Sequence, residues 1–321
     1  MIDLETIRTA RERIARYVHR TPMHRNRTLS ERLGTNVYLK LELFQKTGSF
    51  KPRGAFNKML NHLDEVRESG VVAVSGGNFA QGVAYAGSTL GVRTRIIMPR
   101  YTSRNYLEAT RAYGGEVELA ESIADAFQMA TRYGKEGWSH FHPYDDRELI
   151  TGHASIGMEL LEDVPQLTDV FVSVGGGGLM GGITLAVKQL KPEIRVWTVE
   201  TEGSDALGQA LQAGRLVQIT PKSLAKTLGA PVVSEDALTI ARRYGHRHVV
   251  VSDREAYLAL RLLMERAKVI TELAASCTLA AAQRQAGSFS SEDHVALVLC
   301  GGNLSLETLG EYHNLFPDSS G

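Results

Sequence analysis

Short apolar runs alternate with helical patterns along most of this chain. The stretch NVYLKLELF (36–44) alternates apolar and polar positions in the manner of a half-buried strand. Further strand candidates are VVAVSGG (71–77), RTRIIMP (93–99), EVELA (116–120), DVFVSVGGGG (169–178), RVWTVE (195–200), HVVVS (248–252) and VALVLCGG (295–302). Several of these are apolar without a break and are separated by helical segments, which predicts parallel sheets covered by helices on both faces. The opening MIDLETIRTARERIARYVHRTP places acids among its arginines and has no apolar h-region, so it reads as an amphipathic helix and not as a targeting peptide. No internal repeat is visible, and the tail FPDSSG (316–321) reads as a frayed end.

A length of 321 residues suits two α/β domains better than one wide one. With 43% apolar and 22% charged residues and a formal net charge of zero, the composition is that of an ordinary globular protein, with no global field to draw it to nucleic acid or membrane. The expected partner is therefore a small molecule. Cys277 and Cys300 stand in no metal or redox spacing, which fits a reducing cytoplasm. HFH (140–142) puts two imidazoles on one strand face but offers no third ligand.

Three strands run directly into glycine-rich loops, at SGGN (75), GGGG (175) and CGGN (300). In a parallel sheet ligands bind at the carboxyl ends of strands, so a site is expected where these loops converge. GGGGLMGG (175–182) has more glycine than a turn needs, and its backbone amides at a helix start suit an anion. Residues 176–181 also spell G-x-G-x-x-G, with Glu200 at the end of the next strand, which keeps a dinucleotide and hence an NAD-dependent oxidoreductase open. Lys51, in TGSFKPRGA (47–55), has no use in that reading. Pro52 fixes the backbone beside it and Phe50 desolvates it, the conditions that lower an amine's pKa for Schiff-base chemistry. A phosphate loop with an activated lysine points to pyridoxal phosphate.

The ordered set RTPMHRNRTLSERLG, LKLELFQKTGSFKPRGAF, SGGNFAQGVAYAG, HPYDD, GHASIGMELLE, SVGGGGLMGGI, VETEGSDAL, SLAKTLGAP and LCGGN resembles the fold type II pyridoxal-phosphate enzymes, and among them the serine/threonine dehydratases. The resemblance implies a tryptophan-synthase-β-like α/β fold of two open parallel sheets, with a small domain (49–150) inserted in a large one (1–48 and 151–321). It implies a homodimer acting on an amino acid. The reaction implied is elimination of a β-hydroxyl, giving a 2-oxo acid and ammonia.

Carried over position by position, the resemblance makes Lys51 the Schiff-base lysine and α-proton base, with Phe50 flanking the cofactor ring. Gly175, Gly176, Gly177, Gly178 and Leu179 would hold the phosphate, and Asn78 the cofactor's 3′-oxygen. Ser75, Gly76, Gly77, Asn78 and Phe79 would grip the substrate carboxylate, and Cys300 would face the pyridine nitrogen. Glu200, with carbonyls of Ser204, Leu228 and Ala230, would enclose a cation. Relatives with a divalent ion carry an aspartate where Ala206 stands, so a monovalent ion such as potassium is expected, against the simpler reading of Glu200 as a strand-end carboxylate. Two departures bear on the substrate. Gly76 replaces the serine that serves racemases as an acid/base, which disfavours racemisation, and Phe79 replaces a histidine. Room at Gly76 and an aromatic wall at Phe79 raise an aryl substrate such as phenylserine as the alternative to serine or threonine. Pro52 after the lysine argues against β-replacement enzymes.

Overall fold

The computed structural model describes residues 2–317, so residues 318–321 of the tail read as a frayed end lie outside the described residues. In chain order the strands are β1 (Met23–Arg25), β2 (Asn36–Lys40), β3 (Val71–Val74), β4 (Thr94–Pro99), β5 (Glu116–Ala120), β6 (Ser139–Phe141), β7 (Asp169–Ser173), β8 (Arg195–Thr201), β9 (Arg247–Val251) and β10 (His294–Val298). They form a six-stranded sheet, β1-β2-β10-β7-β8-β9, and a four-stranded sheet, β5-β4-β3-β6. Every pairing is parallel except that of β1 with β2. This is the α/β architecture expected from the unbroken apolar runs.

The four-stranded sheet shows why such runs need cover on both sides. Val71, Ala73, Ile96 and Met98 face one core with Phe56 and Val83, from the helices Lys51–Asn61 and Asn78–Leu90. Val72, Val74 and Ile97 face another core with Ala126 and Ala130, from the helix Ile123–Lys135. The alternation is the two-residue period of a strand with both faces buried. The chain leaves the larger sheet after β2 through the helix Lys51–Asn61 and returns to β7 through the helix Arg147–Asp163. The helix Leu4–Ile14 touches both halves, with Ile7 in the larger core and Ile14 in the smaller.

One predicted strand is cut short. NVYLKLELF reads as a single strand to Phe44, but β2 stops at Lys40 and a 3₁₀ turn spans Glu42–Phe44. The charged positions of that segment point inward. Lys40, Glu42 and Arg53 are all fully buried. Arg53 lies two residues after Lys51 and donates to both oxygens of Glu42 (2.8 Å each) and to Glu159 (2.7 and 2.9 Å), and Lys40 donates to Glu159 (2.6 Å). Buried charges persist only when paired in this way, and forked Arg–carboxylate pairs fix orientation as well as charge. The cluster ties the start of the Lys51 helix to the larger sheet.

Candidate active site

Lys51 is the first residue of its helix, with Pro52 in the first turn and Phe50 before it. The approach is held by the loop after β10: Phe50 N–H donates to the Cys300 carbonyl (3.1 Å) and Gly302 N–H to the Gly48 carbonyl (2.9 Å). From the other side, the helix Asn78–Leu90 lays Gly82 against the Lys51 backbone, where an added Cβ would stand 3.0 Å from Lys51 Cβ. The amine donates to the Pro143 carbonyl (2.9 Å) and lies 5.1 Å from the Phe50 ring centre and 5.3 Å from that of Phe79. Lys51 as a residue is half-buried. Desolvation pulls its ammonium down to about 8, against the opposing pull of Cys300 and Glu272.

The glycine loop joins β7 to the helix Gly178–Leu190. Gly177 has φ +95°, a left-handed conformation that disfavours any side chain, and no side chain caps the helix. A Cβ on Gly176 would fall inside the Tyr144 ring, so the HPYDD segment covers this loop. None of the backbone N–H groups from Gly175 to Met180 donates to an acceptor among the described residues. Six open amides at the positive end of a 13-residue helix suit a phosphate. The loop also meets the segment Ala225–Gly229: a Cβ on Gly175 would stand 3.3 Å from Leu228 Cα, and one on Gly77 3.4 Å from Thr227 Cγ2. The glycine loops after β3, β7 and β10 therefore converge, as their places at strand ends predict.

Asn78 begins its helix and is held on both ends of its amide. Its Nδ2 donates to Glu272 Oε1 (2.8 Å), and Asn303 Nδ2 donates to its Oδ1 (2.8 Å). Glu272 Oε2 accepts from the Tyr106 hydroxyl (3.2 Å), which also donates to the Asn303 carbonyl (3.0 Å). Burial raises the Glu272 carboxyl to about 7. Cys300 is buried with Sγ 3.4 Å from Ser173 Oγ, and burial pushes its thiol up to about 12. Glu272, Tyr106 and Thr227 escape the sequence reading. The one signal for Glu272 is a lone acid in the apolar run VITELAASC.

The loop after β3 departs from one of the expectations placed on it. The space expected at Gly76 is filled, because a Cβ there would stand 2.7 Å from Thr102 Oγ1. Phe79 is 2% exposed and packs in the smaller core, with the Lys51 amine over its ring at 5.3 Å from the centre. Ser75 shapes the loop by accepting the Gly77 N–H (3.1 Å).

Glu200 has its carboxylate engaged by the start of the helix Ala206–Ala213, and its Oε2 lies 3.3 Å from His248 Nε2. Its two oxygens accept the N–H groups of Leu207 and Gly208 (2.9 Å each), and burial raises the carboxyl to about 8. Near it in sequence, the Ser204 and Thr201 hydroxyls are buried without partners. His142 is a turn residue, its Nδ1 accepting the Asp145 N–H (2.9 Å), and no group of three or more His, Cys, Asp or Glu placed to hold a metal occurs among the described residues.

The sequence matches the family described as pyridoxal-phosphate dependent enzyme over residues 14–301. An L-threonine ammonia-lyase from Thermotoga maritima is 37% identical over 317 residues, 98% of this chain and 79% of the relative. A phenylserine dehydratase from Ralstonia pickettii is 37% identical over 315 residues, 98% of this chain and 97% of the relative. Among solved structures, maize serine racemase superposes with a TM-score of 0.91 at 32% identity, covering 98% of each chain. With a desolvated lysine, a glycine loop of open amides and a family match across most of its length, this chain belongs to the pyridoxal-phosphate dependent enzymes.

Proposed function

We propose that the protein is a pyridoxal-phosphate-dependent ammonia-lyase that converts a β-hydroxy-α-amino acid of the serine and threonine type to a 2-oxo acid and ammonia. The observation that carries this reading is the desolvated Lys51 amine, which donates to the carbonyl of Pro143 next to Tyr144, the residue covering the open amides of Gly175 to Leu179. Those amides would hold the cofactor phosphate, Phe50 would flank the ring, and Asn78 would meet the 3′-oxygen. Bound there, the cofactor supplies an electron sink for the bond broken at the substrate Cα. Lys51, with its amine near 8, is suited to take the Cα proton close to neutral pH. Cys300 offers a neutral thiol toward the ring nitrogen, which leaves a weaker sink and suits a reaction in which charge departs with the β-hydroxyl. The enzyme would work in a reducing cytoplasm, which its two buried, unpaired cysteines suit, and as a homodimer, which a sedimentation-velocity measurement would test.

Release of 2-oxo acid from serine, threonine and L-threo-phenylserine tests the reading. Formation from none of the three overturns it. The phenylserine alternative is favoured by the Phe79 ring beside Lys51 and by the near full-length match to a phenylserine dehydratase. An aryl group docked on Phe79 gains roughly 0.5–1.5 kcal/mol beyond its area burial, about a two- to twelvefold preference. Phe79→His is therefore expected to lower kcat/KM for phenylserine relative to threonine by about that factor. An unchanged ratio removes the aryl reading.

A potassium ion bound by Glu200 and the carbonyls of Ser204, Leu228 and Ala230 belongs to the same proposal. It is supported by a buried carboxyl whose one ionisable partner within reach, His248 (Nε2 to Oε2 3.3 Å), is itself pushed toward the neutral form by burial, and by the unpartnered Ser204 hydroxyl. Replacing potassium with tetramethylammonium is expected to lower activity in the parent protein and to leave a Glu200→Ala variant indifferent. Equal parent activity in both salts leaves Glu200 as the cap of the helix Ala206–Ala213.

A further inference from the structure

The loop after β4 brings Thr102 onto the substrate loop after β3, because the two strands are parallel neighbours and both loops leave their carboxyl ends. Thr102 N–H donates to the Pro99 carbonyl (2.9 Å), which fixes the turn, and Ser103 holds the N-cap position of the next helix, Arg104–Ala112, without a side-chain capping bond. The Thr102 side chain then occupies the position that Gly76 leaves empty. Its Oγ1 is 2.7 Å and its Cγ2 3.7 Å from where a Cβ on Gly76 would stand. That Oγ1 is buried and has no hydrogen-bond partner. A buried hydroxyl without a partner is unfavourable, and its persistence beside a binding loop points to a partner that arrives with a ligand.

The surroundings define the ligand's chemistry. The N–H groups of Gly76, Asn78 and Phe79 donate to no acceptor among the described residues. They open the 13-residue helix Asn78–Leu90, whose N-terminal end is positive. With the Thr102 hydroxyl, four donors gather at one end of the loop, and an acceptor-only anion satisfies all of them. We propose that Thr102 is a substrate-binding residue: its hydroxyl replaces the side chain absent at Gly76 and donates to the carboxylate of the bound amino acid. The assignment rests on the reading that residues 75–79 hold that carboxylate. It explains how the loop dispenses with a side chain at position 76.

Thr102→Val keeps the shape and removes the hydroxyl. Loss of a hydrogen bond to a charged group is expected to raise the KM for threonine, and the dissociation constant of L-alanine as a non-eliminating ligand of the holoenzyme, by about 10- to 100-fold, with a smaller effect on kcat. Thr102→Ser is expected to stay within about threefold of the parent, because it keeps the donor. The melting temperature of Thr102→Val without ligand is expected to be equal or higher, since a buried polar atom without a partner is removed. A purely structural role predicts a lower one. A positional swap supplies the second test. Gly76→Ser alone places its side chain against Thr102 Oγ1 and is expected to bind poorly, whereas Gly76→Ser with Thr102→Ala returns the hydroxyl to the loop and is expected to recover most of the lost affinity, a non-additive pair. Alanine binding unchanged in Thr102→Val, or a double variant no better than Gly76→Ser alone, overturns the assignment. A parent holoenzyme that binds no amino acid overturns the dehydratase reading and this assignment with it.

Discussion

Replacing Lys51 by alanine is expected to abolish turnover while leaving the fold intact. Loss of a positioned proton-transfer group alone costs roughly 10²–10⁴-fold, and loss of the covalent attachment adds to it. The amine sits at a helix start whose geometry is set by neighbours other than its own side chain: Pro52 within the helix, Arg53 clamped between Glu42 and Glu159, and the bond from Phe50 N–H to the Cys300 carbonyl. Removing a desolvated amine that makes one hydrogen bond, to Pro143, is therefore expected to leave the melting temperature unchanged or raise it. Cofactor is expected to bind still, reversibly and more weakly, through the amides of the glycine loop, as fluorescence titration reports. Borohydride treatment is expected to fix cofactor to the parent and not to the variant. Normal turnover by Lys51→Ala removes Lys51 from the chemistry.

The second large effect concerns Glu272, and it appears in stability against pH. Burial raises this carboxyl from an ordinary 4.5 to about 7. A folded value above the unfolded one means that the native state holds an extra proton between the two. The stabilisation is complete below about 4.5 and is lost as pH rises toward about 7. At about 1.4 kcal/mol per pH unit over that window, the loss amounts to about 3 kcal/mol. Glu272→Gln carries no titrating proton and is expected to show a flatter profile, by about that amount, when cofactor-free protein is unfolded in urea at pH 4.5 and at pH 7.5. Glu200 is raised in the same direction but is present in both proteins, so the difference between them isolates Glu272. Parallel profiles would place the Glu272 carboxyl outside the buried network. Glu272→Ala is expected to be worse than Glu272→Gln at every pH, because it leaves the buried Asn78 Nδ2 without its acceptor.

Much of this molecule is written locally in its chain. Unbroken apolar runs such as VVAV and DVFVS announce strands buried on both faces, because a strand's period of two leaves no polar side to expose. Glycine clusters at the ends of three of those strands announce a convergence of loops, since parallel strands deliver their carboxyl ends to the same edge. Lys51 between Phe50 and Pro52 is legible for the same reason: helix start, apolar neighbour and amine lie within three residues. The limits are equally physical. Alternation in NVYLKLELF says nothing of partners for Lys40 and Glu42, yet both are buried, because Glu159 and Arg53 arrive from other helices. The setting of Asn78 depends on Glu272, 194 residues away, and on Asn303, 225 residues away. No local period encodes such pairs. Gly76 read as empty space because a glycine reports only its own missing side chain, and the group that fills the space, Thr102, comes from the neighbouring strand's loop. The sequence by itself determined the layered α/β class, the glycine-loop edge and the lysine. Tertiary structure alone decided which charges are buried, which donors are left open and what stands beside the loop at Gly76, because those depend on distances between segments that only folding brings together.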